Sequence, residues 1–162
     1  KKVKNMALRN VLTEENPVLR KKSKFVQDFD EKLWELLDDM TETMYKNDGC
    51  GIAAPQVGVL KRVVVIDACN MKLELINPEI TKQSGEQTTE EGCLSVSKCT
   101  GLVKRPMEVT VKAYDRYGNK FTISVEGLMA TVFCHELDHL DGILFIDKAD
   151  KLFDKIVKKK AN

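Results

Sequence analysis

Residues 135–139 read His-Glu-Leu-Asp-His. On a helix, side chains four apart share one face, so His135 and His139 can turn both imidazoles toward a single cation. Glu136 follows the first histidine and can reach a water held by that cation, as general base rather than ligand. The chain contains no other histidine. A catalytic site of this type takes three protein ligands and leaves a position for water, so one ligand must come from elsewhere. No histidine or glutamate follows His139, which removes the usual third ligand of the common HExxH proteases. Asp141, Asp147, Asp150 and Asp154 remain downstream and read equally well as solvated acids. An upstream thiolate is the stronger candidate. Cys134 adjoins His135 and projects about 100° away around a helix, so it is poorly aimed. Cys50, Cys69, Cys93 and Cys99 stay open on spacing alone. Cys93 stands out among them because Glu91-Gly92-Cys93-Leu94-Ser95 is a small, polar context in which backbone can approach a metal.

These side chains need a scaffold, and hydrophobic periodicity predicts its parts. Leu33, Leu37, Met40 and Met44 recur at helical spacing over about residues 30–47, and Asn47-Asp48-Gly49 stops the run. Residues 62–67 and 73–76 read as strands, the second ended by Asn77-Pro78. Met107, Val109, Val111 and Ala113 alternate with polar residues. Asp115-Arg116-Tyr117-Gly118 then turns the chain, and Phe121, Ile123 and Val125 return as a hairpin. A helix over about residues 127–140 carries the His-Glu-Leu-Asp-His motif, with Gly142 as its C-terminal cap. After a short apolar run at 143–146, Asp147 is placed to cap a final helix bearing Leu152, Phe153, Ile156 and Val157. The expected fold class is α+β, with antiparallel strands and hairpins packed around the central motif helix and a helix near each terminus.

Composition narrows the function classes. The chain has 162 residues, 43% hydrophobic and 31% charged, which suits one globular domain. We read residues 6–162 as that domain and 1–5 as an extension. With 26 basic and 25 acidic residues, net charge is +1, and a nucleic-acid coat or DNA partner is not expected. Apolar runs such as Val63-Val64-Val65-Ile66 are far too short to span a bilayer. Five cysteines and no signal-peptide pattern point to free thiols in a reducing, cytoplasmic setting.

Three ordered motifs resemble those of the bacterial-type peptide deformylases, first main subtype. Gly49-Cys50-Gly51-Ile52-Ala53-Ala54-Pro55-Gln56 is similar to the first, Glu91-Gly92-Cys93-Leu94-Ser95 to the second and His135-Glu136-Leu137-Asp138-His139 to the third. The segments Asn16-Pro17-Val18-Leu19-Arg20 and 140–147 extend the likeness over nearly the whole chain. The resemblance implies removal of the N-terminal formyl group from N-formylmethionyl nascent peptides, with release of formate. It implies that Cys93, His135 and His139 hold the metal and that Glu136 is catalytic, with Gln56 and the Leu94 N–H receiving the oxyanion. Cys50, Gly51, Glu91, Gly92, Leu128, Thr131 and Val132 would bind the substrate. Fe²⁺ is the expected ion, with Zn²⁺, Ni²⁺ or Co²⁺ as replacements. Glu91 is expected to orient the site and Arg105 to pair with Asp138. A transient ribosome contact is expected through the basic C-terminal helix with Lys155, Lys158, Lys159 and Lys160. The sequence departs from the family where Cys134 stands for a usual glutamine, Cys50 for an aliphatic residue and Ser97-Lys98 for Pro-Gly. The competing readings are an HExxH metallopeptidase and a metal-binding module without turnover.

Overall fold

The computed structural model describes residues 7–155. Helix α1 (Glu31–Lys46) starts where the Asp30 carboxylate accepts the Leu33 N–H at 3.1 Å, the side-chain cap that short acidic residues favour. Strands β1 (Gly51–Ala53), β2 (Val63–Ala68), β3 (Met71–Ser84), β6 (Glu108–Tyr114) and β7 (Lys120–Glu126) form one antiparallel sheet in the order β1-β2-β3-β6-β7. Strands β4 (Gln87–Cys93), β5 (Val96–Arg105) and β8 (Ala149–Asp154) form a second, ordered β4-β5-β8. Helix α2 (Leu128–Leu140) carries the HExxH residues and packs against β1, β2, β7 and β5.

The apolar run of β2 follows from its position between two helices. Val64 and Ile66 join the cluster around α2, with Phe133, Leu137 and Leu140. Val63 and Val65 turn the other way, onto Leu37, Met40 and Met44 of α1. A strand buried on both faces cannot alternate, so it reads as a continuous hydrophobic stretch. A smaller cluster of Val96, Val103, Leu144 and Phe145 fastens the second sheet to the segment after α2.

The β6–β7 hairpin pairs as its alternation predicts, from Glu108↔Glu126 to Tyr114↔Lys120. Gly142 follows α2 at φ +73°, and a Cβ there would lie 2.4 Å from the Arg20 carbonyl oxygen. Glycine is therefore needed both for the left-handed turn and for the close approach.

Two expectations are corrected. Asn77-Pro78 does not end a strand. β3 continues to Ser84 through a register shift between Ile76 and Glu79, with Asn77 at φ +51°. The Asn77 side chain there accepts the Val26 N–H at 2.8 Å and donates to the Val26 carbonyl at 2.9 Å. A bulge bends the strand without releasing it. The expected C-terminal helix is replaced by a 3₁₀ turn (Phe145–Asp147) and strand β8, paired from Cys99↔Asp154 to Val103↔Ala149. The open edge of β5 and the bare backbone of Gly101, against which Ala149 and Leu152 pack, draw this segment into the sheet. Tertiary pairing here overrides local helical spacing. Asp147 accepts the Leu144 N–H at 2.9 Å and so closes the short turn instead of starting a helix. Lys155 sits past the end of a strand. Ile156, Val157, Lys158, Lys159 and Lys160 lie outside the described residues.

Candidate metal centre

Helical spacing places His135 and His139 side by side on α2, ring centroids 5.1 Å apart. The third donor arrives from the second sheet. β4 and β5 form a hairpin closed by Leu94 and Ser95, with Cys93 paired to Val96. Cys93, the last residue of β4, is thereby held against α2. Its Sγ lies 3.4 Å from His139 Nε2, and one donor atom from each of Cys93, His135 and His139 lies within 4.8 Å of the others. Two atoms bound to one ion at about 2.1 and 2.3 Å stand roughly 3.6 Å apart at a tetrahedral angle. The Cys93–His139 spacing fits that figure. Among the described residues no other cysteine enters such a group. Cys134 is buried, and burial raises its thiol to about 11.

A buried ion-pair chain aims the first imidazole. His135 Nδ1 lies 2.8 Å from Glu91 Oε1, which leaves Nε2 for a metal when Nδ1 carries the proton. Arg105 grips Glu91 with two hydrogen bonds of 2.8 Å and reaches Asp138 at 2.7 Å. Lys148 meets Asp138 from the other side at 3.0 Å. Burial alone would raise the Glu91 pKa, but hydrogen bonds from Arg105 and His135 outweigh it and hold the carboxyl below its ordinary value. The expected Arg105–Asp138 pair and the orienting contact of Glu91 are therefore both present. Burial takes His139 well below its usual value, helped by the charges of His135 and Arg105, so its imidazole is neutral and can offer a lone pair.

Glu136 is 4% exposed and packs onto bare backbone: a Cβ at Gly51 would stand 2.8 Å from its Oε1. Its Oε2 has no hydrogen-bond partner among the described residues. Burial, aided by the negative charge of Glu91, raises its pKa to about 7 against the pull of His135 and Arg105. Gln56 lies in a 3₁₀ turn (Ala54–Val57) and is 1% exposed. Its Oε1 accepts the Ala53 N–H at 2.9 Å, so its amide nitrogen faces Ser95 Oγ at 3.1 Å and Cys93 Sγ at 3.6 Å.

A cavity of about 420 Å³ opens over these groups. Every residue expected to bind substrate lines it: Cys50, Gly51, Glu91, Gly92, Leu128, Thr131 and Val132, together with Gln56, Cys93, Leu94, His135 and Glu136. His139 lies behind this wall. Sequence reasoning missed Asn47, Asp48, Gly49, Thr89, Glu90 and Lys155 in the lining. The β-branched Thr88-Thr89 pair was the available hint of a strand there. Nothing local marks Lys155, whose place depends on β8 pairing.

One thiolate and two imidazoles suit a borderline divalent transition ion rather than Mg²⁺ or Ca²⁺. A neighbouring carboxylate free to exchange protons makes this the apparatus of a metal-dependent hydrolase. Comparison with known proteins narrows the class. The family model for polypeptide deformylase matches residues 8–155. The peptide deformylase of Caldicellulosiruptor bescii is 58% identical over 143 residues, covering 88% of this chain and 86% of that protein. That of Acetivibrio thermocellus is 54% identical over 150 residues, 93% of this chain and 88% of its own. Among solved structures, a peptide deformylase from Legionella pneumophila superposes with a TM-score of 0.85 at 46% identity, covering 89% of this chain and 87% of that one. The Thermotoga maritima enzyme gives 0.87 at 40%, covering 90% and 99%. The chain belongs to the peptide deformylase family, metal-dependent hydrolases that remove the formyl group from nascent peptides.

Proposed function

We propose that Cys93, His135 and His139 hold Fe²⁺ in the native protein, with Zn²⁺, Ni²⁺ or Co²⁺ able to replace it, and that Glu136 carries the protons of formyl hydrolysis. The approach of Cys93 to His139, with Glu136 beside them against Gly51, is the observation that supports this reading most. When bound, the ion supplies Lewis acidity and lowers the pKa of water. Glu136 removes a proton from the attacking water and returns it to the leaving nitrogen; a pKa of about 7 gives it both forms near neutrality. Gln56 Nε2 and the Leu94 N–H donate to the formyl oxygen as it becomes negative, and Ala53 keeps the Gln56 amide from turning over. The C–N bond breaks, giving formate and a peptide with a free amine.

In this reading the methionine side chain enters the cavity between Cys50, Gly51, Leu128, Thr131 and Val132, while Glu91 and Gly92 flank the peptide. We place the enzyme in the cytoplasm as one catalytic domain over residues 6–162. No helix among the described residues is long and apolar enough to cross a membrane.

Formate release from formyl-Met-Ala-Ser tests the assignment. The unformylated peptide and casein should stay intact, and cleavage of either would favour a general metallopeptidase. Anaerobic reconstitution with each ion, read by elemental analysis and turnover, tests the metal. Highest turnover with Fe²⁺ is expected, and recovery with Mg²⁺ alone would defeat the donor-set argument.

A further inference from the structure

The cavity carries at its edge a cation that the chemistry above does not use. Lys155 follows the last residue of β8, and its N–H donates to the Lys98 carbonyl at 2.9 Å, which ties it to β5. Its side chain lies over the β4–β5 pair. Nζ comes within 4.0 Å of the point a Cβ on Gly92 would occupy, and Thr100 Cγ2 lies 3.6 Å from the same point. Any larger residue at 92 would compete for that space. Gly92 adjoins Cys93, and Lys155 lines the same cavity as Cys93, His135 and Glu136.

The lining otherwise carries acids: Asp48, Glu90, Glu91 and Glu136. Among the described residues none of them forms an ion pair with Lys155. Glu90 accepts the Thr100 hydroxyl at 2.7 Å, and Glu91 is engaged by Arg105 and His135. Asp48 and Glu90 repel an acidic peptide in this cavity, and Lys155 is the lysine or arginine of its lining that attracts one.

We propose that Lys155 is a specificity-determining residue whose ammonium recognises a carboxylate side chain in the first residues after the methionine of the peptide substrate. The proposal rests on the deformylase reading and adds a substrate class to it. Reach sets the position. An extended peptide advances about 3.3–3.6 Å per residue, and Gly92 is one Cα step of about 3.8 Å from Cys93. The second to fourth peptide residues, rather than a distant segment, therefore pass the ammonium. An exposed ion pair of this kind changes affinity about two- to five-fold.

The test uses C-terminally amidated formyl peptides, so that a side chain carries the only carboxylate. Formyl-Met-Ala-Ser is compared with peptides bearing Asp or Lys at residue 2, 3 or 4, and one arm with a free C-terminal carboxylate separates that source of charge. In the unaltered enzyme the best acidic peptide should show a KM about two- to five-fold below the neutral one, shrinking at high salt. Lys155→Met should bring this ratio to one or below. Lys155→Glu should invert it, so that the Lys peptide is preferred, a reversal that a merely structural role would not produce. Lys104→Met, an exposed lysine outside the cavity, should keep the ratio. An unchanged ratio in Lys155→Met, or no preference for acid at any of the three positions, overturns the proposal while formate release leaves the deformylase reading standing. No formate from any peptide overturns both.

Discussion

Helix α2 and the β4-β5-β8 sheet contribute to one site by opposite routes. α2 brings two imidazoles and a carboxylate together within five residues, by helical periodicity alone. The sheet brings one sulfur, from 46 residues before His139, and does so only because a hairpin closes at Leu94-Ser95 and presses against the helix. The helix can therefore offer a half-site wherever it folds, whereas the sheet completes the Cys93-His135-His139 group that could hold a metal. Arg105 couples the two regions, since it stands on β5 and holds both Glu91 of β4 and Asp138 of α2.

Substitutions should separate these contributions. The largest effect is expected on the helix side: Glu136→Ala should lower formate release by about 10²–10⁴-fold with metal still bound. Elemental analysis beside the rate measurement checks this, and loss of the metal would mean that Glu136 supports the ligands instead. Arg105→Met attacks the coupling. It leaves Glu91 buried, 6% exposed, without its guanidinium, a change that costs about 3–5 kcal/mol where one partner of a buried pair is removed. Urea unfolding should show it, and a loss below about 1 kcal/mol would mean the two regions are independently stable.

In the turn outside both regions, Gln56→Leu should reduce kcat by about 10²–10³-fold with a smaller change in KM, because the proposed role of Gln56 is to supply one oxyanion donor. A rise in KM alone would assign Gln56 to binding. Asp30→Ala, which removes the α1 cap far from both regions, should cost about 1 kcal/mol of stability and leave kcat unchanged.

The smallest effect concerns pH. Burial works against ionisation of Asp147, but hydrogen bonds from Arg20 and the Leu144 N–H hold it below its ordinary value. Its contribution to stability is then complete above the unfolded carboxyl value of about 3.9 and fades as pH falls through the lower native value. The pair is about two-fifths exposed, so Arg20→Met should flatten the acid limb of a Tm–pH curve only slightly. A steeper limb in that variant would reverse the sign of the argument.

Legibility followed the range of the interaction. α1, α2 and the β6–β7 hairpin were readable because local spacing and turn residues specify them. β4 and β5 were not: Gln87–Cys93 shows no alternation of apolar and polar residues, and five of its seven positions line a cavity rather than a core. The C-terminal segment misled for the same reason, since Leu152 and Phe153 carry helical spacing but meet an open strand edge. Cys50 and Thr131 line the cavity, as the family resemblance implied. Lys155 could not be foreseen.

By itself, the amino-acid order determined that two imidazoles share one helical face with a carboxylate beside them, because backbone geometry brings neighbours three and four apart together. Only tertiary structure decided which of five thiols meets them, which residues wall the cavity and where the chain's last described lysine stands. Those choices depend on strand register and edge pairing between segments far apart in sequence, and no local pattern of side chains encodes them.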